Sequence, residues 1–123
     1  MTNILLVDDE PIIQKLVKAD LVARGYEVSV ASDGEEALEM ANQRCPDLIL
    51  LDVMIPKMSG WDILTTLKAD EKLHKAQVIV ITGAVRPGDE DKAHNMGAVG
   101  CLAKPFTPRE LLDQINLALK NQS

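Results

Sequence analysis

Acidic side chains follow two of the most apolar stretches of the sequence. The triplet Asp8-Asp9-Glu10 comes directly after NILLV, and Asp52 ends the run LILLD. The unbroken aliphatic residues before Asp52 indicate a strand that is covered on both faces, as in parallel sheets flanked by helices. Ligands of such sheets bind beyond the carboxyl ends of the strands. These carboxylates are therefore candidates for chemistry.

Other polar groups predicted at this sheet edge could bind a phosphoryl group together with a metal ion. Three or four carboxylates in one crevice repel one another unless a cation lies between them, and hard oxygen ligands suit Mg²⁺. Thr82 ends the run VIVIT, and Lys104-Pro105 follows the last predicted strand. A hydroxyl and an ammonium placed there can hold phosphoryl oxygens. The combination predicts phosphoryl transfer to a carboxylate, with Asp52 as the nucleophile.

Each of these residues alone also has a structural explanation. Asp8 and Asp9 can cap a helix, Asp52 can cap a turn, and Thr82 can simply end a strand. A shared site is favoured because the polar residues follow four different predicted strands that would meet at one edge.

Period-two or continuous apolar runs predict five strands, at 3–7, 27–31, 47–52, 77–82 and 99–103. Helical spacing of apolar residues fills the intervals and the C-terminal segment, with a weaker and shorter helix predicted within 87–96. Strands that alternate with helices predict an α/β fold, here a flavodoxin-like (βα)5 doubly wound parallel sheet. The strand order 2-1-3-4-5 is expected, because it places the ends of strands 1 and 3 side by side.

Composition and charge exclude several classes of function. A net charge of −6 and a pI near 4.8 argue against direct nucleic acid binding, which requires clustered Lys and Arg. Cys45, Cys101 and the two histidines lack metal-ligand spacing, so we expect two buried, reduced thiols. The first apolar run has no basic leader, and no apolar window is long enough to span a membrane. We expect a cytoplasmic protein without membrane contact.

The motifs together resemble the response-regulator receiver domains of two-component signalling, and the resemblance covers essentially all of residues 1–123. They are Asp8-Asp9 after ILLV, DVMIPKMSG with Asp52, VIVITGA with Thr82, and KPF at 104–106. The resemblance implies one receiver domain that accepts a phosphoryl group on Asp52. The donor would be a histidine kinase or a histidine phosphotransfer protein.

The resemblance also implies a metal site and a mode of signalling. Mg²⁺ is expected on Asp9, Asp52 and the backbone carbonyl of Met54, with Asp8 acting through water. A phosphoacceptor of this kind signals by conformational change to a downstream protein. It assists only its own phosphorylation and slow dephosphorylation, so we do not expect an enzyme, and we expect a monomer or a weak homodimer.

For the phosphoryl group itself, the resemblance implies contacts from Thr82 and Lys104, and a cis peptide bond between Lys104 and Pro105. The chain departs from the family at Cys101, where receiver domains usually carry Tyr or Phe three residues before the lysine. A small thiol cannot switch position as a ring does. We therefore expect the conformational response to concentrate in the loop at 83–88.

Three alternatives remain from the sequence. A phosphatase of the haloacid dehalogenase type needs a second acid two residues after its nucleophile, where this chain has Met54. A flavin-binding module needs a hydroxyl- and glycine-rich loop after strand 1, where this chain has Asp-Asp-Glu. The segment can also be a receiver excised from a hybrid kinase or a transcription factor, with a C-terminal output domain missing.

Overall fold

Strands and helices alternate along the residues that the computed structural model describes, 2–83 and 87–120. The strands are β1 (Asn3–Val7), β2 (Glu27–Ala31), β3 (Leu48–Asp52), β4 (Gln77–Thr82) and β5 (Gly100–Ala103). The helices are α1 (Pro11–Ala23), α2 (Gly34–Arg44), α3 (Gly60–Ala69), α4 (Asp89–Asn95) and α5 (Pro108–Lys120). The predicted strands are all present. Those predicted to begin at residues 47 and 99 begin one residue later.

The strands form one parallel sheet in the order β2-β1-β3-β4-β5, as predicted. Consecutive strands that run parallel need a crossover helix, and the five helices cover the two faces of the sheet. The fold is therefore the flavodoxin-like doubly wound sheet. Its switch point lies between β1 and β3, where chain order reverses.

Two aliphatic cores lie on opposite faces of the sheet because successive strand residues point to opposite sides. On one face, strand residues such as Leu5 and Leu51 pack against α2, α3 and Ala93 of α4. On the other face, residues such as Leu6 and Leu50 pack against α1 and α5. A sheet covered in this way explains why LILLD shows no polar alternation.

Side-chain caps fix the starts of α2 and α5. The Asp33 carboxylate accepts from the backbone N–H of Glu36 at 2.9 Å. Before α5, the Thr107 hydroxyl accepts from the N–H of Glu110 at 3.1 Å, and the Glu110 carboxylate accepts from the N–H of Thr107 at 3.2 Å. This reciprocal pair is a capping box, and Pro108 begins the helix after it.

Helix α4 is short, as predicted, and weakly anchored. Gly88 takes its N-cap position with φ +91 and offers no side-chain cap, and Ala93 is its buried residue. The expected response of the loop at 83–88 stays a prediction, because residues 84–86 lie outside the described part of the chain.

The expectation of two buried thiols was wrong for Cys45. This residue is exposed because it ends α2 in the left-handed conformation, with φ +46, on the turn that leads to β3. Cys101 is partly buried on β5. Within the described residues, no helix has the length and apolar character needed to cross a membrane.

Candidate functional site

The ends of β1 and β3 place two buried carboxylates side by side. Val7 lies opposite Leu51 in the parallel ladder, so the next residue of each chain segment, Asp8 or Asp52, emerges at the same sheet edge. Asp8 is 0% exposed and Asp52 is 2% exposed. Two buried like charges are unfavourable unless a cation compensates them.

The ammonium of Lys104 supplies that compensation. Its Nζ lies 2.8 Å from Asp52 Oδ2, 2.9 Å from Asp8 Oδ2 and 2.8 Å from Glu10 Oε1. The contacts with Asp52 and Glu10 are hydrogen bonds, and the contact with Asp8 is an ion pair. Asp8 Oδ2 has no hydrogen-bond partner within the described residues.

Burial and neighbouring charges shift the pKa values of Asp8 and Lys104 in opposite directions. Burial raises the pKa of the Asp8 carboxyl above its usual value, and the N–H of Glu10 and the Lys104 ammonium offset this only in part. Burial is also the largest single influence on Lys104 and would lower its pKa. The contacts with Asp52, Glu10 and Asp8 together outweigh burial and raise the Lys104 pKa, so this side chain stays an ammonium.

Thr82 and Lys104 are linked through the backbone. The N–H of Lys104 donates to the Thr82 carbonyl at 2.8 Å, and the following Lys104-Pro105 bond is cis, as predicted. The Thr82 side chain is 2% exposed, and its hydroxyl has no hydrogen-bond partner within the described residues. A buried hydroxyl without a partner is unfavourable, so it is available to a ligand.

The chain after β3 fixes the orientation of Asp52. The N–H of Met54 donates to Asp52 Oδ1 at 2.8 Å, which leaves Oδ2 facing Lys104. Helix α3 begins against this segment, with the N–H of Gly60 donating to the Val53 carbonyl at 3.0 Å. A Cβ at Gly60 would lie 2.6 Å from the Asp52 carbonyl oxygen, so a glycine is required by this close approach.

An apolar groove of about 430 Å³ adjoins the site between α1 and the start of α5. Glu10 belongs to both the groove and the acidic cluster, and Lys104, which contacts that cluster, also lines the groove. Ile13, Leu16 and Phe106 are among the apolar residues that line it, and Leu16 is 65% exposed.

Comparison with known proteins identifies the arrangement. Residues 4–116 match the response regulator receiver domain family. The chain belongs to this family. The Escherichia coli transcriptional regulatory protein CpxR is 42% identical over 98% of this chain and 50% of its own length. The Synechocystis dual master transcriptional regulator RpaA is 36% identical over 98% of this chain and 50% of its own length.

Solved structures agree with this assignment. The Vibrio cholerae chemotaxis protein CheY4 superposes with a TM-score of 0.89 at 32% identity, covering 96% of this chain and 98% of that one. A CheY-like receiver domain protein from Methanospirillum hungatei gives a TM-score of 0.91 at 30% identity, covering 99% and 96%. The chain spans about half the length of the curated relatives it matches. It is a receiver domain of two-component signalling, the phosphoacceptor class of module.

Receiver domains bind Mg²⁺ at an acidic cluster, and the residues of this receiver domain fit such an ion. Asp8, Glu10 and Asp52 each present a carboxylate oxygen within 4.8 Å of the others, a spacing that one hard cation can bridge. Asp8 Oδ2 is buried, pairs with the Lys104 ammonium and accepts no hydrogen bond within the described residues, so it can also face a cation. Asp9, which the sequence assigned as a direct ligand, is exposed and does not join this group among the described residues. Its role, and that of the Met54 carbonyl, stay predictions.

Two features of the receiver site were not predicted. The sequence placed Glu10 in the acidic crevice but did not indicate its bond to Lys104. It also gave no sign that Lys57, with φ +70, would lie 3.5 Å from both Asp33 Oδ2 and Glu35 Oε2. That contact ties the loop after Asp52 to the start of α2.

Proposed function

We propose that Asp52 of this receiver domain, which we assign to residues 1–123, accepts a phosphoryl group from a phosphohistidine of a histidine kinase or phosphotransfer protein. The supporting observation is a convergence of three groups at one sheet edge. The Asp52 carboxylate is buried, the Lys104 ammonium contacts it, and the Thr82 hydroxyl lacks a partner among the described residues.

In the transfer, one carboxylate oxygen of Asp52 attacks phosphorus. The bond between phosphorus and the donor imidazole nitrogen breaks, and that nitrogen keeps the electron pair. The product is an acyl phosphate on Asp52. Lys104 neutralises charge on the phosphoryl oxygens, and the Thr82 hydroxyl turns to donate to one of them.

For the metal, we propose Asp9, Asp52 and the Met54 carbonyl as ligands, with Asp8 acting through water. A bound Mg²⁺ would offset the negative charge of the carboxylates and of the incoming phosphoryl group. The position two residues after Asp52 holds exposed Met54 rather than an acid, so the chain offers no general acid there for repeated turnover. We propose signalling by conformational change to a downstream protein as the output. A cytoplasmic location and a monomeric or weakly dimeric state stay predictions.

The main test is transfer of labelled phosphate from a phosphorylated kinase. We expect Asp52→Asn and Asp52→Ala to abolish stable labelling, and the wild-type adduct to be released by hydroxylamine, as an acyl phosphate is. Asp62→Asn, which removes an exposed acid from α3, should label normally. Undiminished labelling of Asp52→Ala would refute the assignment.

We propose further that the phosphodonor protein docks in the apolar groove beside the site. The donor must reach Asp52, and the groove is continuous with the site through Glu10 and Lys104. Leu16→Ala should slow transfer from the kinase at least about tenfold, as expected for a central apolar contact. It should leave phosphorylation by acetyl phosphate unchanged, because that small donor needs no groove.

Val22→Ala is the matched control for the groove. Val22 is also exposed on α1, at 50%, but does not line the groove. Equal effects of Leu16→Ala and Val22→Ala on transfer from the kinase would contradict the docking proposal.

A further inference from the structure

Glu10 is the one acid in the cluster to which the proposed function gives no role. It precedes the first residue of α1, yet its side chain makes no cap hydrogen bond. Its carboxylate reaches instead to the Lys104 ammonium, at 2.8 Å, across 94 residues of sequence.

The three partners of Lys104 differ in how readily they can be released. The side chains of Asp8 and Asp52 are 0% and 3% exposed, whereas that of Glu10 is 57% exposed. Releasing a buried carboxylate leaves an uncompensated charge in the interior, which is strongly unfavourable. Releasing Glu10 returns its carboxylate to water, which solvates it.

We propose that Glu10 occupies, on the Lys104 ammonium, the place that a phosphoryl oxygen takes when Asp52 is phosphorylated. Glu10 is then a positioning residue that acts through Lys104. This inference rests on the proposed function of Asp52 and Lys104. An ammonium has three protons, and three carboxylate oxygens already surround that of Lys104 within 2.9 Å, those of Asp52 and Glu10 as hydrogen-bond acceptors and that of Asp8 as an ion-pair partner.

An incoming phosphoryl oxygen must therefore displace one of these partners, and Glu10 is the one whose loss is least unfavourable. Before phosphorylation, the Glu10 carboxylate occupies the solvent-facing side of the Lys104 ammonium. After phosphorylation, it turns to solvent. The Glu10 carboxylate and the phosphoryl group therefore compete for the same position beside the Lys104 ammonium.

The competition can be measured with beryllofluoride, an analogue of the phosphoryl group, in excess Mg²⁺. Glu10→Ala should bind the analogue about two- to fivefold more tightly than wild type, the range expected when an exposed ion pair no longer has to be broken. Amide chemical shifts of the full chain would give the affinity. Asp62→Asn is the control, because it removes an exposed acid from α3 that does not contact Lys104. It should bind the analogue as wild type does.

Glu10→Asp separates displacement from simple charge repulsion. It keeps the negative charge but shortens the side chain, and an aspartate before a helix turns to cap the helix N–H groups. We expect it to bind the analogue as tightly as Glu10→Ala does. Wild-type affinity in Glu10→Asp would show that charge alone is responsible and would overturn the inference.

Two further outcomes would also overturn it. The first is unchanged affinity in Glu10→Ala. The second is weaker analogue binding together with a tenfold or greater loss of Mg²⁺ affinity, measured without beryllofluoride, which would make Glu10 a metal ligand. Failure of the wild-type chain both to bind the analogue and to be labelled would refute the proposed function itself. If the Glu10 variants contradict the inference but the wild-type chain is still labelled on Asp52, the proposed function is unaffected.

Discussion

Two lysines show how differently two regions of this receiver domain are held. Lys104 contacts Asp8 and Asp52, whose carboxylates are buried at the ends of central strands. Lys92, on the short helix α4, lies 4.2 Å from the centre of the Trp61 ring on α3, near the surface. The first lysine compensates buried charge, whereas the second adds a weak contact between two helices.

This difference distinguishes the phosphorylation site from the helix that we expect to move in response to it. Buried charges fix the site, because moving Lys104 would leave carboxylates unpaired in the interior. Helix α4 has a buried Ala93 and a glycine at its N-cap, so little energy is needed to move it. We therefore expect a phosphoryl group bound at the rigid site to shift α4 without disturbing the sheet.

The largest expected effect comes from removing the buried cation. Lys104→Met should lower the free energy of unfolding by about 3 kcal/mol, because it leaves Asp8 and Asp52 without compensation. Urea unfolding followed by circular dichroism would measure it. Lys57→Met is the control, since Lys57 is itself exposed and pairs with half-buried Asp33 and exposed Glu35, so its loss should change stability by less than about 1 kcal/mol. Equal losses would contradict the distinction between buried and exposed charge.

The next effect concerns the close approach of α3 to the end of β3. Gly60→Ala should lower the free energy of unfolding by about 1–3 kcal/mol, because the added methyl group overlaps the Asp52 and Val53 backbone. It should also slow phosphorylation by displacing Asp52. Gly83→Ala is the control, since a Cβ there meets none of the described residues within 4 Å. A fully stable Gly60→Ala would show that this contact relaxes easily.

A smaller effect is expected at α4. Lys92→Ala should lower the free energy of unfolding by about 0.5–1 kcal/mol, through loss of the cation–π contact. It should speed amide hydrogen exchange in α4 and change the emission of Trp61, the only tryptophan. Lys18→Ala, on an exposed position of α1, should change neither property. Unaltered exchange in α4 would mean that the contact with Trp61 does not hold this helix.

The smallest effect on stability concerns the thiols, and it depends on pH. Burial, followed by the charges of Glu90 and Asp89, raises the pKa of the Cys101 thiol above its usual value. The folded chain therefore keeps this proton at a pH where the unfolded chain loses it. The contribution of the Cys101 thiol to the free energy of unfolding is fully present below the ordinary thiol pKa of about 8.5. It is lost as the pH rises through the pKa of the thiol in the folded chain.

Iodoacetamide would compare the two thiols directly. In Cys45→Ser the remaining thiol is Cys101, and in Cys101→Ser it is the exposed Cys45, so the alkylation rate of each can be measured separately. We expect Cys101 to react more slowly, with its rate rising at a higher pH than that of Cys45. A Cys101 that reacts at neutral pH as fast as Cys45 would favour a redox role instead.

Much of the fold followed from local sequence patterns. Apolar runs and helical spacing predicted the strands and the helices, and the order 2-1-3-4-5 was expected because it places the ends of strands 1 and 3 side by side. Because those rules fix which strand ends share an edge, Asp8, Asp52, Thr82 and Lys104 could be placed at one site. The cis Lys104-Pro105 bond, implied by the family resemblance, was also confirmed.

The exposure of Cys45 shows where local patterns fail. A free cysteine without ligand spacing is usually buried, yet this one lies at the left-handed end of α2 and is exposed. Side-chain direction at such a turn depends on how the helix packs against the sheet, and hydrophobic periodicity does not report that packing.

The sequence by itself determined which groups meet at the sheet edge, since strand order and strand length follow from near-neighbour patterns. Only the tertiary structure decided which of those groups bond to one another. The contact of Lys104 with Glu10 joins residues 94 apart, and the contacts of Lys57 with Glu35 and of Lys92 with Trp61 likewise cross between elements. Such pairs depend on side-chain positions that are correct to within about an ångström, and these positions are set only when both faces of the sheet are packed.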